Sequence, residues 1–119
     1  MKKNDAFSYD VSEGEVIVIT VTPKRFRDSL FSVRAERDGK VFPRRPGTQN
    51  APVFQFTVTK PVEDIHTVIF EFSFIEGSPD DAFYDVDIEG ENDVGCPCGF
   101  TIDKSTENKE PAIEFFVAQ

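Results

Sequence analysis

Residues 65–74 read IHTVIFEFSF, and they give the clearest indication of the fold. Its even positions carry Val68, Phe70, Phe72 and Phe74. Because successive side chains of a strand point to opposite faces, these four apolar residues lie on one side. Aromatic rings bury large areas, so the stretch predicts a strand that crosses the middle of a hydrophobic core.

The length and composition are those of one β domain. A chain of 119 residues can bury one sizeable core but not two, so we expect a single β-sandwich domain over residues 1–119. Its aromatic content comes from 13 Phe and 2 Tyr, and Leu30 is its only leucine. Since leucine and alanine favour helices and phenylalanine favours pleated surfaces, this composition argues against a helical bundle.

Alternating apolar and polar residues recur along the chain and predict further strands. We expect eight or nine short strands, at residues 7–11, 15–22, 29–37, 40–42, 53–59, 65–74, 82–89, 100–102 and 112–118. Pro23 is expected to end the second strand, and Asp38-Gly39 is the strongest hairpin signal. No segment has helical periodicity. The prediction is an all-β fold, an antiparallel two-sheet β-sandwich of about eight strands with little or no helix.

In layout, the sequence resembles small immunoglobulin-like or jelly-roll accessory domains, including those appended to secreted peptidases. The resemblance lies in short strands at fairly even spacing, most of them with one polar face. The chain departs from the immunoglobulin pattern because it has no Trp and its two cysteines lie together. The resemblance therefore implies a fold class and transfers no site residue.

The charge distribution bounds the choice of partner. A net charge of −9 disfavours nucleic acid and anionic membranes as partners. The segment 24–45 nevertheless carries eight bases and three acids, whereas residues 61–119 carry 15 acids and two lysines. Such asymmetry favours cross-strand pairing, head-to-tail self-association or an acidic ligand on the basic segment. The candidate partner-binding residues are Arg25, Arg27, Arg44 and Arg45.

The most unusual local feature is Cys96-Pro97-Cys98, flanked by two glycines. Two cysteines at this spacing can be free thiols in a turn, a reducible disulfide, or half of a metal site. A structural zinc site needs four ligands, and this chain offers two thiols and one histidine. A metal site would therefore need a second subunit to complete it.

Acidic residues provide a second, weaker metal candidate. The segment 85–90 has acids at EF-hand positions 1, 3 and 5 and Gly at 6, but Cys96 stands at position 12, where the motif requires Glu. The residues of a looser calcium site would be Asp80, Asp81, Glu91 and Asp93. The alternative is a solvent-facing acidic strand.

The sequence contains no catalytic motif. His66 is the only histidine, and its even number places it on the phenylalanine face, as a satisfied and partly buried side chain. We therefore expect no catalytic residue and no cofactor. The function indicated is a non-enzymatic binding or assembly module for a partner protein or a second copy. The alternative is a thiol redox or metal-binding protein centred on residues 96–98.

The sequence shows neither a signal-peptide pattern nor a membrane span. Asp5, Ser8 and Asp10 fall where a signal peptide would need an apolar region. No window approaches the roughly 20 apolar residues of a membrane-spanning helix. The chain is therefore expected in the cytoplasm, unless an export segment has been trimmed.

Overall fold

The computed structural model describes residues 1–27, 32–48, 50–90 and 97–118. Within these ranges the chain forms ten strands and no helix. The strands are β1 (Lys2–Asp5), β2 (Ser8–Val11), β3 (Val16–Lys24), β4 (Val33–Arg37), β5 (Lys40–Val41), β6 (Val53–Thr57), β7 (Ile65–Phe72), β8 (Phe83–Glu89), β9 (Gly99–Asp103) and β10 (Ala112–Val117). The predicted all-β class is confirmed. In the described ranges no helix is long and apolar enough to cross a lipid bilayer.

The strands form two sheets. One has six strands in the order β1-β2-β10-β7-β4-β5, and the other has four in the order β6-β3-β8-β9. Neighbouring strands are antiparallel, except that β10 runs parallel to β2. Strand β2 lies near the beginning of the chain and β10 near its end. The predicted antiparallel pairing therefore holds for the other neighbouring strands but not for this pair. A period of two in side-chain polarity cannot reveal this parallel pairing, because parallel and antiparallel strands produce the same alternation.

The core lies between the two sheets, with β7 in the interior of the larger one. Along β7, the even positions from His66 to Phe72 are at most 4% exposed, which confirms the predicted facing of Val68, Phe70 and Phe72. Phe74, predicted on the same face, lies beyond the end of β7 and is only partly buried. Ring contacts join the sheets: Phe70 lies 5.2 Å from Phe54, and Phe72 lies 5.2 Å from Tyr84, measured between centroids. Such tilted and edge-to-face pairs are the arrangements that aromatic quadrupoles favour.

The prediction that Pro23 ends its strand is wrong. Strand β3 continues to Lys24, and Pro23 lies opposite Tyr84 of β8. The odd residues of β3 direct their backbone groups toward β6, as the bond from Val21 N to Pro52 O shows (2.8 Å). Because β6 does not extend as far as Pro23, the missing N–H of proline faces no partner strand and costs no ladder bond.

The remaining differences lie at the sheet edges. The hairpin at Asp38-Gly39 is confirmed, with positive φ at both residues (53° and 80°) and β5 returning alongside β4. Strand β1 was not predicted, because its polar and mostly exposed residues have no apolar alternation. Lysines and a bulge in β1 are typical of edge strands that avoid pairing with other chains. The expected strand at 29–37 falls partly on residues 28–31, which lie outside the described ranges.

Candidate functional site

A groove of about 470 Å³ lies where the chain leaves β5 at the edge of the six-stranded sheet. Two apolar side chains line it on the outer face: Val41 is 82% exposed and Ile69 is 42% exposed. Its charged lining residues are Arg34, Glu36, Arg44, Glu71 and Glu110. We call this depression the β4–β5 groove.

Local sequence explains why the groove is present. Phe42 N donates to Ala35 O (2.9 Å) and extends the hairpin by one residue beyond β5. The next residue, Pro43, has no N–H and cannot continue the ladder. The chain then crosses to the other sheet, where Arg45 N donates to Val53 O (2.6 Å). The first half of β4 is therefore left without a neighbouring strand.

Charge is ordered across the groove. Arg34 of β4 lies opposite Glu71 of β7. The segment before β10 still pairs with β7, since Phe70 N donates to Pro111 O (3.1 Å), and this sets Glu110 beside Glu71. Arg44 lies on the far side of Arg34, where its Nη2 donates to Val33 O (3.3 Å). Apart from Glu36 of β4, the bases thus lie toward the sheet edge and the acids toward β10.

Three of these charges are available to a partner. Arg34, Glu71 and Glu110 have exposed side chains. In the described part of the chain, none of the three takes part in an ion pair. Two carboxylates that lie opposite each other repel, so a cation from a partner would be bound favourably between Glu71 and Glu110.

The four predicted partner-binding arginines lie near one end of the sandwich, but they do not share one site. Arg44 lines the β4–β5 groove, and Arg27 lines a second depression of about 390 Å³. Arg25 pairs with Asp81 at 3.3 Å, and Arg45 Nη1 donates to Gln55 Oε1 at 3.1 Å. Exposed pairs of this kind contribute little to stability.

His66 is held between two acceptors. Its Nδ1 lies 2.6 Å from Asp38 Oδ2, and its Nε2 lies 3.1 Å from the carbonyl oxygen of Thr59 and 3.5 Å from the Thr59 hydroxyl. This order of hydroxyl, imidazole and carboxylate is that of a catalytic triad. The Thr59 hydroxyl, however, lies farther from Nε2 than the Thr59 carbonyl oxygen does, so the ring contacts Thr59 chiefly through the backbone. The 4% exposure of His66 also keeps substrate away from the ring.

Half of the metal and redox candidates fall outside the described residues. Cys96, Glu91 and Asp93 lie outside them. Cys98 is described: it is 5% exposed and disulfide-bonded. Asp80 and Asp81 are exposed. Across residues 1–27, 32–48, 50–90 and 97–118, no three His, Cys, Asp or Glu side chains are grouped so that they could hold a metal ion.

Sequence reasoning missed the acidic side of the groove. Glu71 was predicted to face outward, but nothing in the sequence indicated that β4 would lie beside β7 and bring Arg34 to it. The exposed odd positions of β7 were the available signal, because Ile69 is an apolar residue on a face that should be polar.

Comparison of the chain with protein-family models, with curated proteins and with solved structures finds no match.

Proposed function

We propose that the chain is a non-enzymatic binding or assembly module whose partner site is the β4–β5 groove. The observation that carries the proposal is the combination of exposed Val41 and Ile69 with the exposed charges of Arg34, Glu71 and Glu110, which take part in no ion pair within the described part of the chain. Apolar surface supplies binding energy, and convergent charges orient a partner. A volume of about 470 Å³ lies within the range of ligand sites.

Site-specific photo-crosslinking tests this proposal. A benzophenone side chain replaces Val41 in one variant and Val62 in the other, and both proteins are irradiated in native lysate. Position 62 is the control for position 41. The two side chains are similarly exposed (102% and 82%), but Val62 lies in the β6–β7 connection, away from the groove. We expect discrete adducts from position 41 and none from position 62. Equal adduct patterns, or none from position 41, would contradict the proposal.

A second candidate function is thiol redox chemistry at residues 96–98, and the disulfide bond of Cys98 favours it. A redox role requires that the bond opens and closes at the potential of the compartment. Alkylation with iodoacetamide after equilibration in glutathione buffers measures this directly. Two added carbamidomethyl groups at cytosolic potentials support the role, and an intact disulfide across the whole range excludes it.

A metal-binding role has weaker support, because a thiolate is the metal ligand and Cys98 is disulfide-bonded. The immunoglobulin-like or jelly-roll relationship remains an interpretation of strand number and spacing. The cytoplasmic location is proposed from the sequence alone, and the disulfide weighs against it, because stable disulfides are typical of oxidising compartments. Cell fractionation followed by thiol alkylation tests the location.

A further inference from the structure

We infer that the β4–β5 groove binds an extended segment of a partner protein in which basic and apolar side chains alternate; the inference rests on the proposed function and names the class of partner. The residues on the β10 side of the groove belong to a longer surface on the outside of the six-stranded sheet. This surface is formed by the outward side chains of residues 65–71 and of residues 110–116, which lie next to each other. We call it the β7–β10 stripe.

Acidic and apolar rows alternate along the stripe. The first three rows are Glu71 with Glu110, Ile69 with Ala112, and Thr67 with Glu114. The fourth row is Ile65 with Phe116. Ile69 and Phe116 are 42% and 41% exposed, so both apolar rows offer surface that a partner can bury.

The acids of the stripe have no neutralising base of their own. Glu71, Glu110 and Glu114 are exposed, and within the described ranges none of them takes part in an ion pair. The stripe contains no base, and the two lysines of residues 61–119 are directed elsewhere: Lys104 and Lys109 donate to backbone carbonyl oxygens. The cations that would balance these carboxylates must therefore come from a partner.

The neighbouring strand β4 does not change this balance. It contributes Arg34 and Glu36 to the same face, one opposite Glu71 and the other opposite Ile69. One base and one acid cancel, so the acidic excess of the stripe remains. A second copy of this face would bring the same excess against itself, whereas a basic segment is complementary to it.

The spacing of the rows indicates the conformation of the partner. Successive rows are two residues apart along a strand, which is about 6.7 Å. Side chains on one face of an extended segment repeat at the same distance, so bases and apolar residues at alternate outward positions meet the rows in turn. A helical segment repeats every 5.4 Å, or roughly, and is out of step by about 4 Å at the fourth row.

Two synthetic peptides of identical composition test the inference on the full chain. One is KTVTKTVT, in which every second residue is alternately Lys or Val, and the other is the rearranged KKTTVVTT. Both are acetylated, amidated and fluorescently labelled, so their charges are equal. Fluorescence anisotropy measures their affinities at low ionic strength. We expect the alternating peptide to bind more tightly by about tenfold, because only its side chains match both kinds of row.

Paired charge removals locate the binding. Glu71→Gln with Glu114→Gln removes two acids from the stripe, and Asp85→Asn with Asp87→Asn removes two exposed acids from the outer face of β8 in the other sheet. Both double variants lower the net negative charge equally. The first is expected to raise the Kd of the alternating peptide by roughly tenfold, at about threefold per exposed ion pair. The second should leave the Kd nearly unchanged.

Three results would overturn the inference: no binding of the alternating peptide, equal binding of both peptides, or equal effects of the two double variants. The comparison of the peptides uses the native chain, so it does not depend on the folding of any variant, and circular dichroism checks the variants. Adducts from position 41 without binding of the alternating peptide overturn this inference but not the proposed function. Neither adducts nor peptide binding overturns both.

Discussion

His66 Nδ1 lies 2.6 Å from Asp38 Oδ2, and this contact connects the tip of the β4–β5 hairpin with the start of β7. The other carboxylate oxygen, Asp38 Oδ1, accepts from Thr67 N at 2.9 Å. Asp38 makes both contacts from a left-handed backbone conformation with φ of 53°. The only histidine of the chain therefore serves as an anchor between two segments of the larger sheet.

Replacement of Asp38 is expected to destabilise the chain. Asp38→Ala leaves the buried His66 ring and the Thr67 amide without their acceptor and puts Ala in a left-handed conformation, at a combined cost of about 2 to 3 kcal/mol. Asp38→Asn tolerates that conformation and should cost less. Urea unfolding followed by circular dichroism measures both, with Asp85→Ala as the exposed control. Losses no larger than that of the control would show that the contact does not stabilise the fold.

Removal of the Phe72 ring is expected to cost about 3 to 5 kcal/mol, because the residue is buried and Phe→Ala in a core leaves a cavity. Its ring packs against Tyr84 at 5.2 Å and against Phe70 at 5.7 Å. Phe116→Ala is the matched control, since Phe116 is 41% exposed on the opposite face of the same sheet. If the two variants have equal free energies of unfolding, the assigned facing of β7 is wrong.

Gly99 is expected to tolerate no side chain. It has a φ of 130°, and a Cβ built there would lie 1.9 Å from the backbone oxygen of Val86. A side chain at residue 99 would fit only if β9 moved away from β8. We therefore expect Gly99→Ala to lower the free energy of unfolding by more than about 2 kcal/mol. Gly47→Ala is the control, because φ is 82° but no atom lies within 4 Å of its built Cβ. Thermal unfolding compares them, and a smaller loss for Gly99→Ala than for Gly47→Ala would contradict the strand pairing.

Asp103 is expected to make stability depend on pH at the acid end. Its Oδ1 accepts from the hydroxyl of Ser105 at 2.7 Å and from that of Thr106 at 3.0 Å. These hydrogen bonds, the one from Ser105 first, lower the pKa of Asp103 below its ordinary value of 3.8. A lowered pKa in the folded state stabilises the chain above the unfolded pKa, and the contribution is lost as pH falls through the folded value.

Asp103→Asn removes the charge and keeps an acceptor oxygen at the same position. The native chain should therefore be more stable than this variant at neutral pH, and the difference should shrink below about pH 4. Thermal unfolding across that range is the measurement. A difference that stays constant from neutral to acid pH would show that the carboxylate charge plays no part.

The period of two predicted most of the fold. The inward residues of β7 were identified from alternation, because which face a side chain occupies is a local property of an extended chain. The hairpin at Asp38-Gly39 was predictable for the same reason, since its turn geometry depends on two adjacent residues. The continuation of β3 through Pro23 was not predictable, because it depends on how far the neighbouring strand β6 extends.

The candidate site was only partly predictable. The basic segment that contains Arg44 was evident from charge counting. The place of Arg34 in the groove and the acidic residues beside it were not, because Glu71 and Glu110 lie far along the chain from it. The four arginines singled out from composition share one end of the sandwich but not one surface.

The class of the fold, the facing of its strands and the position of the β4–β5 turn were predictable from the sequence alone. These follow from steric and hydrophobic preferences that act within a few residues. The tertiary structure was needed to show that β7 lies between β4 and β10, that β2 runs parallel to β10, and that Arg34 lies opposite Glu71. Strand neighbours are chosen by the packing of the whole core, and a side-chain pattern with a period of two is compatible with many such arrangements.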